Sequence, residues 1–208
     1  MNISKYHHIS FDLDGTLIDS LPVMETAWME TINKLHITTP FELYKKNIGL
    51  PFKSILNNLH LTEMFDEISK SYFKSTHENI DKIQLYKGVY ELIDKIKDSD
   101  KSISIITSKP RRNAEAIINK FNLNIDFLVA GDDTEYGKPF HDPFLSLKKY
   151  SIECTEKTIY FGDTVNDLIF SVNSKIDYCH CNYGIEGPLS KFILPGPASI
   201  NSLTEVKL

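Results

Sequence analysis

Two aspartates, Asp12 and Asp14, stand two positions apart at the point where a short apolar run breaks off. Ile9 and Phe11 alternate as in a buried strand, and Gly15 follows at once, so the strand ends as the acids emerge. In open parallel sheets ligands bind beyond the carboxyl ends of the strands, which directs this pair into a crevice. Two close carboxylates repel each other unless a cation or a shared proton neutralises them. A chain of this kind calls for more acid and a positive group elsewhere.

Both are present. Ile103 to Ile106 reads as a second buried strand, ended by Thr107 and Ser108 before a helix started by Pro110. Hydroxyls and helix-start N–H groups at such a place can hold an anion. Tyr136-Gly137-Lys138-Pro139 sets an ammonium in a turn. Thr158 to Phe161 is a third apolar run, ending in Gly162 and Asp163, with Asp167 four residues further on.

Between these segments the pattern divides the chain. Residues 18–84 carry almost no strand signal and good helical periodicity. Ser20 or Asp19 can cap a helix with Leu21, Met24, Ala27, Trp28, Ile32 and Leu35 on its apolar stripe. Phe41 to Ile48, Phe52 to Leu59 and Thr62 to Ile80 read as further helices, the last behind a Thr cap. From Leu85 helix and strand alternate: Val89 to Lys97, 103–107, Ala114 to Phe121, 127–129, Phe144 to Tyr150, 158–161 and Tyr178 to Cys181. Such alternation predicts a parallel sheet with right-handed crossovers. The expected fold is α/β, a Rossmann-like parallel-sheet core formed by 1–17 and 85–208, with a helical unit, 18–84, inserted after the first strand.

In order and type, these four segments resemble the motifs of the haloacid dehalogenase-like hydrolase superfamily. The resemblance spans nearly the whole chain, since Ala198 to Leu203 looks like that family's last short strand. It implies that the helical insert is a cap, of the C1 type, closing over the catalytic crevice. It also implies roles. Asp12 would attack phosphorus to form an aspartyl-phosphate, and Asp14 would protonate the leaving oxygen and then deprotonate water. Thr107 and the N–H of Ser108 would bind phosphoryl oxygens, and Lys138 would offset charge on Asp12 and on the transferring group. Mg²⁺ would be held by the carboxylates of Asp12 and Asp163 and the backbone carbonyl of Asp14. Asp167 would ligate through water or orient its neighbours, the alternative being charge compensation at a helix start. His141 departs from the pattern, which often has a proline there, and this touches only local loop geometry.

Within the family an acid at the position of Asp14 marks phosphatases and phosphomutases rather than dehalogenases or phosphonatases. Ile48 to Ile55 lacks the arginine that sugar phosphomutases carry shortly after a glycine, and looks more like phosphoglycolate phosphatases and their pyrophosphatase relatives, as does Thr107-Ser108-Lys109-Pro110. The expected activity is therefore Mg²⁺-dependent hydrolysis of a small phosphate monoester: a hydroxyacid, polyol, amino-alcohol or sugar phosphate. A phosphomutase or a non-catalytic module binding a phosphometabolite are the alternatives; loss of the nucleophile or of a metal acid would mark the latter, and none is lost.

Charge and composition narrow the partners. A net charge of −5 argues against nucleic acid as a routine partner. No apolar stretch approaches the roughly 20 residues of a membrane span, the N-terminus lacks a signal-peptide pattern, and three cysteines without evident pairing fit a reducing cytosol. A cytoplasmic location is expected. Trp28 belongs to an apolar stripe, so core packing is the expectation, and Cys179 and Cys181 alternate onto one face as buried thiols rather than a zinc site. Arg111 and Arg112, the chain's only arginines, fall in the first turn of a helix, where the dipole disfavours them. A solvated helix surface is the ordinary expectation for both; contact with an acidic neighbour or a substrate carboxylate is the alternative.

Overall fold

The computed structural model describes residues 1–150, 157–189 and 196–208; Cys154 lies outside them. Six strands form one sheet: β1 (His8–Phe11), β4 (Ser102–Ile106), β5 (Phe127–Val129), β6 (Thr158–Gly162), β7 (Asp177–Cys181) and β8 (Ser199–Ile200). Their order is β5-β4-β1-β6-β7-β8, and every neighbouring pair is parallel. The chain runs outward from β1 on one side, then returns to its other side, so β1 sits where the winding reverses. Ligand sites of doubly wound sheets lie at such a switch.

All four residues of β1 are buried, as expected of a central parallel strand covered on both faces. On one face Ile9 and Phe11 join Ile103, Ile105, Ile159, Phe161, Cys179 and Cys181 in the largest apolar core. Helix α5 (Val89–Lys97) covers that face with Val89, Leu92, Ile93 and Ile96, and α6 (Arg111–Lys120) adds Ala114 and Ile117. On the other face Ile106, Val129, Tyr160 and Ile176 pack with Phe144 of α7 (Asp142–Ser146) and Phe170 of α8 (Val165–Ser174). A polar chain lies on that same face of β1: His8 bonds Ser102 and Ser104 through its two ring nitrogens, at 2.7 and 2.8 Å, and Ser104 bonds Ser10.

Residues 21–78 fold into α1 (Leu21–Leu35), α2 (Phe41–Lys45), α3 (Phe52–Asn58) and α4 (Phe65–Glu78), which enclose an apolar cluster of their own around Trp28, Tyr44, Leu56 and Tyr72. Trp28 is fully buried, stacked on Tyr44, with its indole N–H bonded to the Thr39 carbonyl. Two strands the sequence pattern missed bracket this unit: β2 (Ile18–Asp19) and β3 (Gln84–Leu85) pair antiparallel. At two residues each they are too short to show alternation. The expected start of the last helix also shifts. Residues 62–64 form a 3₁₀ turn, α4 begins at Phe65, and the Thr62 hydroxyl reaches Asn57 at 3.5 Å instead of capping. Ser20 does stand at the N-cap of α1, but its side chain makes no cap bond; it donates to Asp14 Oδ1, a charged and therefore stronger acceptor.

Candidate active site

The register of the sheet assembles the site. Phe11 is level with Ile105 on one side and Phe161 on the other, so the residues just beyond these strands emerge side by side. Asp12 follows β1 with its amide held by the Phe161 carbonyl at 2.8 Å, Thr107 follows β4 with its amide on Val129, and Asp163 follows β6. Asp12, Asp14, Thr107, Lys138, Asp163 and Asp167 are all buried.

Lys138 is the hub. Its ammonium lies 2.6 Å from Asp12 Oδ1, 2.7 Å from Asp167 Oδ1 and 3.0 Å from the hydroxyl of Tyr160. Tyr160 in turn donates to the Ile106 carbonyl, a role that a tyrosine inside an apolar strand gave only a faint signal for. The other oxygen of Asp167 accepts from the Thr164 amide and hydroxyl and the Asp163 amide, while Thr164 caps α8 reciprocally. Asp167 thus contacts Lys138 with one oxygen and the start of α8 with the other.

Asp163 accepts from the Ile185 amide at 2.6 Å and from the Thr16 hydroxyl at 3.4 Å. Gly15 makes this approach possible. Its φ is +82°, and a Cβ there would lie 2.1 Å from Asp163 Oδ2. Asp14 has partners of its own: Oδ1 receives the Ser20 hydroxyl and lies 3.2 Å from the ammonium of Lys109. Lys109 was not singled out by itself from the sequence, although it stands within the Thr107-Ser108-Lys109-Pro110 run. The Thr107 hydroxyl accepts from the Lys109 amide, and the Ser108 hydroxyl donates to the Gly49 carbonyl, joining the strand-end loop to the helical unit.

One oxygen from each of Asp12, Asp163 and Asp167 lies within 4.8 Å of the others, a spacing that can hold a metal ion. Three buried carboxylates against one ammonium leave two negative charges, the Asp14–Lys109 pair being neutral by itself. Burial pushes Asp12 up to about 7, with Asp167 and Asp14 adding to the shift and Lys138 opposing it. Burial, then Asp167 and Asp12, drives Asp163 far above the usual carboxylate range. Asp167 goes the other way: burial would raise it, but Lys138 and the Thr164 donors win and hold it low. Burial also works against charge on Lys138, yet Asp12 and Asp167 keep it raised. Hard oxygen donors with an excess of two charges suit a divalent cation such as Mg²⁺, which would restore ionisation of Asp12 and Asp163.

A cavity of about 60 Å³ opens above these groups. Its floor includes Asp12, Asp14, Thr107 and Lys138, and its roof is Met24, Tyr44, Ile48, Phe52 and Tyr72 from the helical unit. Tyr44 donates to Tyr72 at 2.7 Å within that roof. The arginines separate. Arg111, against the expectation of a solvated residue, forks onto Asp133 and pairs with Glu115 at 2.9 Å, because the loop after β5 brings Asp133 to the start of α6. Arg112 is exposed. Cys179 and Cys181 are buried in the apolar core. Among the described residues no helix is long and apolar enough to cross a membrane.

Comparison with known proteins gives these observations a context. A family model described as haloacid dehalogenase-like hydrolase matches residues 9–181. The pyrophosphatase PpaX of Bacillus mycoides is 28% identical over 179 residues, covering 82% of this chain and 80% of its own. Solved structures share the fold: a candidate phosphoglycolate phosphatase from Lactobacillus plantarum has a TM-score of 0.84 at 21% identity, covering 97% of both chains. A hydrolase from Pseudomonas syringae has a TM-score of 0.85 at 22% identity, covering 95% of this chain and 94% of that one.

Proposed function

Because the chain belongs to the haloacid dehalogenase-like hydrolase family, we propose that it is a phosphatase that hydrolyses a small phosphorylated metabolite through an aspartyl-phosphate on Asp12. One observation carries this reading: Lys138 bridges Asp12 and Asp167 in a buried cluster completed by Asp163, at the carboxyl ends of the central strands. Asp12, Asp163 and Asp167 are the groups that would hold Mg²⁺, with the Asp14 carbonyl; when bound, the ion supplies positive charge that eases approach of one anion to another.

Asp12 forms a bond to phosphorus as the ester oxygen leaves, and Asp14 gives that oxygen its proton. Asp14 then takes a proton from water, which attacks phosphorus and breaks the bond to Asp12, releasing inorganic phosphate. Asp14 suits this task because Ser20 and Lys109 both hold Oδ1, leaving Oδ2 for proton transfer. The Thr107 hydroxyl, already an acceptor from the Lys109 amide, has its own proton for a phosphoryl oxygen, and the Ser108 amide adds a second donor. Lys138 stabilises charge at the nucleophile and on the group in flight.

Residues 18–84 act as a cap over this site. The cavity, about 60 Å³, is well under the roughly 150 Å³ that accommodates benzene, so it has room for a phosphoryl group and little more before it opens outward. That favours small esters over phosphoproteins. A second reading, hydrolysis of a phosphoanhydride such as pyrophosphate, is favoured by the similarity to PpaX. A cytoplasmic location belongs to the proposal, since charged phosphometabolites are retained there. The test is Mg²⁺-dependent phosphate release from p-nitrophenyl phosphate, followed by a panel of phosphometabolites and pyrophosphate. Activity is expected with Mg²⁺ and not with chelator, and undiminished turnover by Asp12→Asn would contradict the assignment.

A further inference from the structure

Beside the catalytic cavity lies a larger cleft of about 460 Å³, between α1 and α4 of the cap and α6 of the core. Lys70, Lys74, Lys109, Arg112 and His77 line it, and no carboxylate does. The whole chain holds 28 acids to 23 bases, so a cleft this rich in cations runs against its composition. Two of the cations have partners: Lys109 with Asp14, and Lys74 at 3.6 Å from Glu78 in a largely exposed pair. Among the described residues Lys70 and Arg112 have none. Arg111 takes the available acids, whereas Arg112 stands in the first turn of α6 with its charge opposed by the helix dipole and no carboxylate to compensate it. The Ser69 hydroxyl, buried and without a hydrogen-bond partner among the described residues, belongs to the same cleft.

The cleft is not remote. Met24, Phe73 and Lys109 line both spaces, so a substrate whose phosphoryl group sits at Asp12 can extend from the small cavity along a wall the cleft shares. The cap side of the catalytic cavity itself supplies no cation, only apolar side chains and the Tyr44–Tyr72 hydroxyl pair.

The geometry points to a substrate that carries a second anionic group, a carboxylate or phosphate, bound in this cleft by Lys70 and Arg112. This rests on the phosphatase reading and specifies its substrate class: an ester with anions at both ends. Each unpaired cation offers a charge-assisted hydrogen bond to that distal group, and Arg112 can make two in parallel.

The experiment compares linear alkyl monophosphates of graded length, ended by a carboxylate, a phosphonate or a hydroxyl, in the wild type, Lys70→Ala, Arg112→Ala and the double variant. At one chain length the anion-ended esters should exceed the hydroxyl-ended one by about tenfold or more in kcat/KM, through KM, and the double variant should erase that margin. Hydrolysis of p-nitrophenyl phosphate should stay unchanged, and Arg112→Lys should retain part of the preference. Equal rates for all end groups at every length, or equal losses for all of them in the variants, would overturn the inference. Calorimetric binding of the matching non-hydrolysable phosphonates to the Mg²⁺-supplemented protein separates the two proposals. End-group preference in binding without turnover of any ester supports the cleft and defeats the phosphatase reading, while turnover without end-group preference does the reverse.

Discussion

At the scale of single residues the account turns on how four charges share one dry space. Among the described residues Lys138 is the only ammonium in contact with Asp12 and Asp167, so removing it leaves buried carboxylates without their partner. Lys138→Ala should destabilise the metal-free protein by about 3–5 kcal/mol, read from urea unfolding, and a loss within experimental error would refute the hub. Asp12→Asn keeps the shape of the side chain but removes the nucleophile, and should lower kcat by about a thousandfold or more in p-nitrophenyl phosphate assays. Asp12, Asp14 and Asp163 stand out in the sequence because each follows an apolar run that stops, and Lys138 because it sits in a Gly-Lys-Pro turn. The partners of these residues were not. Tyr160 hides within an apolar strand, and the attachment of Ser20 and Lys109 to Asp14 depends on a loop geometry that no periodicity encodes.

Among the elements, the loop from β1 to β2 is tightly constrained at Gly15. Gly15→Ala would force both a left-handed residue and a collision with Asp163, so it should cost activity more than stability. The expected outcome is a raised Mg²⁺ requirement with the circular-dichroism spectrum unchanged; a wild-type Mg²⁺ dependence would show that Asp163 has room to move. The strands of the core and the long helices α1 and α5 were readable from period alone, since burial repeats along them. The β2–β3 pair was not, being two residues long on each side, and the start of α4 shifted because Thr62 finds Asn57 rather than its own helix. The helical unit's contribution to the cavity, above all Tyr44 and Tyr72, arises from packing between helices distant in sequence. Local patterns hold no trace of it.

For the whole molecule, stability should respond to pH and to the metal in separable ways. His8 is buried between β1 and β4, and burial lowers it from 6.5 to about 4, with Asp126 opposing weakly. The unfolded chain therefore takes up this proton first, so the stability His8 contributes is present above pH 6.5 and is lost as pH falls toward 4. Between pH 6.5 and 5 the wild type should lose about 2 kcal/mol more than His8→Gln in urea unfolding. Asp12, raised in the metal-free fold, acts in the opposite sense, and the comparison cancels it because both proteins retain it. Mg²⁺ should raise the melting temperature with a concentration dependence that Asp163→Asn abolishes, as binding to the folded state alone requires. The central claim, a covalent bond between Asp12 and phosphorus, is tested most directly by rapid acid quench of a turnover with phosphoryl-labelled substrate, followed by peptide mapping. The account predicts an alkali-labile, hydroxylamine-sensitive acyl phosphate on the peptide containing Asp12; label on another residue, or turnover with no labelled peptide and inversion at phosphorus, would contradict it.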